Sequence, residues 1–213
     1  MDPNMQWHNE MRGNRVVSEL AQNGFTATYF ADRASAAAHL LSLVPDGASV
    51  GFGGSMTIRA MGIAQKLAQK GCTLLDHSQE ELTIEERNII RRKQLLANVF
   101  LCSSNAVTMQ GELVNVDGTG NRVAAMMFGP ERVIIAVGTN KLVDTLEDAH
   151  ARIQNVAAPI NNKRLDRPNP CVQTGKCTNC RSKTRICNMT AIIRRRPPFT
   201  DIHVLVIGEE LGY

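Results

Sequence analysis

Aromatic residues are scarce in this sequence, only 4% of its 213 positions, so aliphatic side chains and methionines must fill its core. Long apolar runs are missing as well. None approaches the roughly 20 residues that a membrane-spanning helix needs, which predicts no membrane partner. The opening Met1-Asp2-Pro3-Asn4 has neither a basic flank nor an apolar segment. No secretory leader is expected from it, and a cytoplasmic location follows by default. The 43% hydrophobic content argues against disorder and for one large domain, with or without an appendage.

The mild net charge of +4 hides an uneven distribution. Between Lys163 and Arg196 stand ten Lys or Arg residues and a single acid, Asp166, so the rest of the chain is net acidic. A basic segment can serve nucleic acid, or it can balance a bound anion. Arg194-Arg195-Arg196 lacks the interleaved aromatics that single strands stack on, which weighs against nucleic acid. Four of the six cysteines lie in the same segment, whereas Cys72 and Cys102 stand alone in apolar surroundings.

Periodicity and punctuation predict alternating helices and strands. Helices are expected over residues 5–23 (stripe Val16, Val17, Leu20), 34–44, 55–70, 84–97 and 143–158. The fourth opens on a Thr83/Glu86 capping box and should turn Ile89, Ile90 and Leu96 inward. Strands are expected over 25–30, 49–52, 72–75, 99–102, 132–137 and 202–207, with a hairpin over 106–116 around Gln110-Gly111. This order predicts an α/β fold with a doubly wound, mostly parallel sheet. The expected division is a main domain over 1–158, a Cys-rich appendage over 159–196 set off by prolines, and a strand in 197–213 that rejoins the main sheet.

Two segments carry binding chemistry. Gly51-Phe52-Gly53-Gly54-Ser55 joins a strand to a helix, a recipe for an anion site, with Ser55 and Thr57 adding hydroxyls. The alternative is a tight turn with Ser55 as helix cap. Met56 stands where a dinucleotide fingerprint needs its third glycine, and the Gly-Lys of a Walker loop is missing. Farther on, Asn115 to Arg122 sets Asp117, Gly118, Gly120, Asn121 and Arg122 between apolar strands, with Ser103-Ser104-Asn105 upstream. Strand ends are where open α/β sheets bind ligands, and Arg122 is expected to supply an anion-binding fork. The competing reading is plain turn chemistry. Asp76-His77 could be an acid–base pair or a surface strand end, and Lys141 could reach an anion or be merely solvated.

The series Val50-Gly51-Phe52-Gly53-Gly54-Ser55-Met56-Thr57, Ser104-Asn105-Ala106-Val107-Thr108, Asp117-Gly118, Gly120-Asn121-Arg122 and Val137-Gly138-Thr139-Asn140-Lys141 resembles the LUD domain of lactate-utilisation proteins. The likeness runs from about Phe25 to the last residues. It implies a fold like that of sugar-phosphate isomerases and CoA transferases, and a role beside iron–sulfur redox partner proteins in oxidising lactate to pyruvate. One departure matters. Ser103-Ser104-Asn105-Ala106 lacks the glutamate that CoA transferases of this fold use as nucleophile, and Glu112 is the nearest acid. A glutamyl acyl intermediate is not expected.

Cys171, Cys177, Cys180 and Cys187 supply four thiols within seventeen residues, and clustered cysteines in a cytosolic chain suggest a metal before disulfides. The basic neighbours Lys176, Arg181, Lys183 and Arg185 would offset the negative charge of a thiolate site. One Cys-x2-Cys pair with irregular outer spacing, together with the family resemblance, favours a four-iron cluster (4Fe-4S), with zinc as the alternative. Three functions remain open. The first is an accessory or redox component binding a small anion at the glycine loop and a metal at the tail. The second is an isomerase or transferase acting on a phosphorylated or CoA-bearing substrate. The third is a metal-stabilised binding module. Catalysis is unassigned, and so is the oligomeric state.

Overall fold

A computed structural model describes residues 2–213. Ten strands and nine α-helical segments alternate along these residues. Six strands form a fully parallel sheet: β1 (Thr26–Phe30), β2 (Ser49–Phe52), β3 (Thr73–Leu75), β4 (Val99–Cys102), β7 (Arg132–Gly138) and β10 (Asp201–Ile207). Their spatial order is β1-β10-β7-β4-β2-β3. The chain steps from β2 outward to β3, then returns to place β4 on the other side of β2, so winding reverses between β2 and β4. Both faces are covered, as an all-parallel sheet requires. On one face α1 (Pro3–Gln22) buries Val16 and Leu20 against β7 and β10. On the other, α2 (Arg33–Leu43) buries Ala36, Ala37 and Leu40 in a cluster shared with Val50, Leu101 and Ile134.

A second sheet follows the order β8-β5-β6-β9, made of β5 (Ala106–Thr108), β6 (Leu113–Asp117), β8 (Leu142–Val143) and β9 (Met189–Ile193). β5 and β6 form the expected hairpin, turning at Gly111 with φ +74°. β9 carries no strong sequence signal and was not foreseen; it pairs antiparallel with β6.

Several expected boundaries shift for physical reasons. The helix expected over 55–70 is two, α3 (Met56–Ala60) and α4 (Ala64–Gln69), because the chain passes through Gly62 at φ +64°. The next, α5 (Ile84–Gln94), has the expected capping box but not the expected inward face. Leu96 lies beyond its end at 85% exposure and Ile89 is exposed, while Gln94 is its buried residue. A short helix, α6 (Asn121–Met127), follows the Gly118–Gly120 turn and was missed. The last long helix does not stop at residue 158. It runs through α7 (Leu146–Arg152), a π-helical stretch (Ile153–Ala157) and α8 (Ala158–Arg164), with Pro159 in its first turn. Proline lacks an N–H and is tolerated where the ladder is already interrupted. The Ala158 amide reaches back to Ile153 O, and the Gln154 carbonyl instead accepts from Cys177 N at 2.9 Å. The expected 159–196 appendage is thus stitched to the body by a shared helix, by this bond and by β9.

Candidate functional site

The site is assembled at the carboxyl ends of four neighbouring strands, β3, β2, β4 and β7, around the point where winding reverses. The tips after them carry, in that order, His77, the glycine loop, Ser103 to Asn105, and Lys141. They line one cleft of about 920 Å³. Its wall holds six arginines and Lys141 against three acids, Glu80, Asp117 and Asp166, so the cleft is electropositive.

Of the residues the sequence singled out, Gly53, Gly54, Ser55, Asn105, Asp117, Gly118, Asn121, Arg122 and Lys141 line this cleft. Gly51, Thr57 and Gly120 do not line it, and of these Gly51 and Thr57 are buried. A Cβ on Gly51 would lie 2.9 Å from the Phe100 ring, and one on Gly53 would lie 2.9 Å from Cys102 Cβ and 3.2 Å from Arg122 Cγ. These glycines are therefore demanded by packing, whatever the loop binds. Ser55 caps α3, its Oγ accepting from Ile58 N at 3.2 Å.

Arg122 corrects an expectation. Its terminal nitrogens donate to Ser103 O, Asn115 Oδ1, Asn105 Oδ1 and Val116 O at 2.6–2.9 Å. Four protein oxygens occupy the fork, so Arg122 acts as a charged pillar joining β4's tip to β6 and offers the cleft its field. Asp117 is also committed to structure: Oδ2 accepts from Arg122 N and Val123 N at 3.1 Å, Oδ1 from Gly118 N at 2.8 Å. It caps the entry to α6, a turn role.

Lys141 is the deepest charged group. It sits in a 3₁₀ turn directly after β7, with 3% of its surface exposed. Its Nζ donates to Thr57 Oγ1 and Ser103 Oγ, both at 2.9 Å. No ion pair among the described residues includes it. Burial first, then the Arg152 and Arg122 guanidiniums, bring its pKa down to about 7. Arg152 is itself fixed, donating to Asn140 O at 2.8 Å and Asn105 O at 2.6 Å. Cys102 next to this cluster is fully buried, and burial pushes its thiol up to about 12, so it is inert.

His77 faces the glycine loop, with Nε2 3.9 Å from where a Gly54 Cβ would lie. Of the two readings of Asp76-His77, the acid–base pair is not joined by a hydrogen bond: Asp76 Oδ1 accepts from Ser78 N and Oγ, and Asp76 acts on the ring only through its charge. His77 Nδ1 instead lies 3.0 Å from Gln94 Nε2, whose amide also donates to Leu75 O at 2.8 Å and Phe52 O at 3.0 Å. Two backbone carbonyls fix which end of that amide faces the ring, and an amide nitrogen cannot accept a hydrogen. Nδ1 therefore carries none and shares an N–H with a carbonyl, and the neutral ring holds its hydrogen on Nε2. Burial, followed by Arg91, lowers the His77 pKa and favours that neutral form. Gln94 and Arg152 are the contributors that the sequence does not mark as site groups, whereas Ser103 lies in the Ser103-Ser104-Asn105 stretch expected at a strand end. No local pattern marks Gln94, whose helix-face neighbours are Arg91, Ile90 and Arg87.

Cys171 is buried at the start of α9 (Cys171–Thr174), whereas Cys177, Cys180 and Cys187 are half-exposed on the following loop; all four are free. Cys177 Sγ accepts from Asn179 N at 3.3 Å, and hydrogen bonds from Ser182 lower the Cys180 pKa. Burial raises the Cys171 thiol, and the charges of Cys180, Cys187 and Cys177 raise it further, so the four share one neighbourhood. Among the described residues, however, no three His, Cys, Asp or Glu side chains are arranged to hold a metal ion. The thiols are gathered into one loop, not closed into a shell.

The fold and the cleft define a parallel α/β protein with a basic cleft at its topological switch point. The LUD domain profile matches residues 13–207, and the chain belongs to that family. In structure it is similar to a DUF162 family protein from Deinococcus radiodurans, with a TM-score of 0.51 at 12% identity over 94% of this chain and 98% of that one. That likeness concerns the fold. No curated protein matches the chain. Among the described residues no helix is long and apolar enough to cross a membrane.

Proposed function

We propose that this LUD-domain protein binds a small organic anion in the cleft between β2, β4 and β7, as an accessory component of lactate or related 2-hydroxy acid utilisation. The observation that carries this reading is Lys141, a buried amine that titrates near neutrality and has no carboxylate partner, on the wall of a cleft with an excess of positive charge. A bound carboxylate would supply the missing counter-charge, and the His77 Nε2–H would offer a neutral donor beside the glycine loop. The glutamate-based transferase alternative lacks support, because Glu112 is engaged outside the cleft with Arg194 and Thr108.

The tail's share of the proposal is a metal centre on Cys171, Cys177, Cys180 and Cys187, with an iron–sulfur cluster preferred to zinc. Its support is the shared neighbourhood and the N–H bond to the Cys177 sulfur, which favours a thiolate. Such a centre would supply one-electron chemistry, and the loop would have to draw the half-exposed thiols toward Cys171 to hold it.

Thermal unfolding measured with lactate, pyruvate, phosphosugars and CoA esters tests the cleft. A hydroxy or oxo acid should raise Tm by several degrees, and Lys141→Met should abolish the shift. Stabilisation by phosphosugars or CoA esters alone would favour the isomerase or transferase reading, and no response to any anion would sink the cleft. Protein prepared anaerobically should be brown with visible charge-transfer absorption; a colourless protein with stoichiometric zinc would replace the cluster with a structural metal.

A further inference from the structure

The hydroxyl partners of Lys141 determine more than its position. Thr57 Oγ1 spends its own hydrogen on Leu211 O at 3.0 Å, and Ser103 Oγ spends its own on Ser104 O at 3.3 Å. Each can therefore meet Nζ only with a lone pair, and Lys141 is the donor in both 2.9 Å contacts. A tetrahedral nitrogen has four directions. One is the bond to Cε and two are these hydrogen bonds, so a single direction remains, in a side chain that lines the cleft.

In the ammonium form that direction carries a third hydrogen with no protein acceptor, close to the guanidiniums of Arg122 and Arg152. In the amine form both hydrogens are already satisfied and the open direction carries the lone pair. Burial and these two cations bring the equilibrium to about pH 7, where the amine is abundant. The surroundings thus present an unprotonated amine with its reactive pair as the free valence, the condition for a nucleophilic lysine.

We propose that Lys141 forms an imine with the carbonyl carbon of an oxo acid bound in the cleft. The substrate class follows from two requirements. The amine needs an electrophilic carbonyl, and the cation-rich wall needs an acid group on the same molecule. The Nζ lone pair attacks the carbonyl carbon, and the C=O π electrons move to oxygen. The two N–H hydrogens then leave with that oxygen as one water, giving the C=N bond. No oxidant, reductant or further reactant is needed. Ser103 and Thr57 hold the amine toward the carbonyl and accept its hydrogens before reaction. The proposal rests on the reading that the cleft takes an organic anion.

The test is reductive trapping. Full-length protein is incubated at neutral pH with pyruvate or glyoxylate and cyanoborohydride, then analysed by intact mass and peptide mapping, with thermal unfolding run in parallel. A lysine of ordinary pKa holds less than about one part in 10³ as amine at pH 7, so Lys141 should be labelled up to ~10³-fold faster than the chain's six other lysines. The expected result is one adduct per chain on the Lys141 peptide, lost in Lys141→Arg. Mapping of the unsubstituted protein decides the question even if that variant fails to fold. Stabilisation by the oxo acid without an adduct at Lys141, or labelling spread evenly over all lysines, would overturn the imine and leave the anion cleft standing. Absence of both adduct and stabilisation would overturn the two together.

Discussion

Lys141 shows how one residue's chemistry is made by its neighbours. An unfolded lysine keeps its proton to about 10.5, and the folded one releases it near 7. Between these values the unfolded chain binds more protons, so stability rises with pH across the window. Below about pH 7 both states are protonated and the burial cost is felt in full. One such group contributes a slope of up to ~1.4 kcal/mol per pH unit. Urea titrations from pH 7 to 10 should show this rise in the wild type and a nearly flat profile in Lys141→Met; equal slopes would mean that the amine is not desolvated. A bound carboxylate should flatten the wild-type curve by restoring the counter-charge.

Among the elements, α5 joins a locally encoded end to a tertiary one. Thr83 and Glu86 close its capping box with bonds of 2.8–3.2 Å, all exposed. At the other end Gln94 is fully buried and ties together the last residues of β2 and β3 and the ring of His77. Thr83→Ala should cost about 1 kcal/mol, the usual value of a helix cap, and leave ligand binding intact. Gln94→Leu leaves carbonyl oxygens without their donor and frees the imidazole. It should cost ~1–3 kcal/mol and weaken anion binding as well. Chemical denaturation together with ligand titration separates the two; equal effects of both variants on binding would remove Gln94 from the site.

At the scale of the whole molecule, the last strand is the most telling placement. β10 lies between β1 and β7 and pairs in parallel with both, so the sheet cannot close until the end of the chain arrives. A chain ending at Arg196 should therefore lose its cooperative unfolding transition and become insoluble, as monitored by circular dichroism and sedimentation. A folded truncated chain would contradict the topology. The same arrangement ties the cysteine loop at both ends, with α8 before it and β9 paired to β6 after it. Asn188 N also donates to Asp117 O, and Asn188 Nδ2 to Gly118 O, both at 3.0 Å, so the loop's exit abuts the rim of the cleft.

By itself the sequence determined the alternation of elements, the parallel sheet, most strand limits, the capping box and the place of the glycine loop. Each of these is written in near neighbours, through periodicity, caps and glycine punctuation. The family likeness was legible too, because it lies in ordered short motifs. Tertiary structure alone decided the use of the polar groups. Arg122 read as a free fork and is occupied by four oxygens from β4's tip, β6 and the turn between them. Lys141 could be read as anion-reaching or merely solvated, and it is a buried amine, because Thr57 and Ser103 reach it from 84 and 38 positions away. The strand β9 stayed hidden for the same reason, its pairing with β6 being a long-range contact. A side chain's hydrogen-bond partners and desolvation depend on which distant segments fold against it, and no local pattern encodes that.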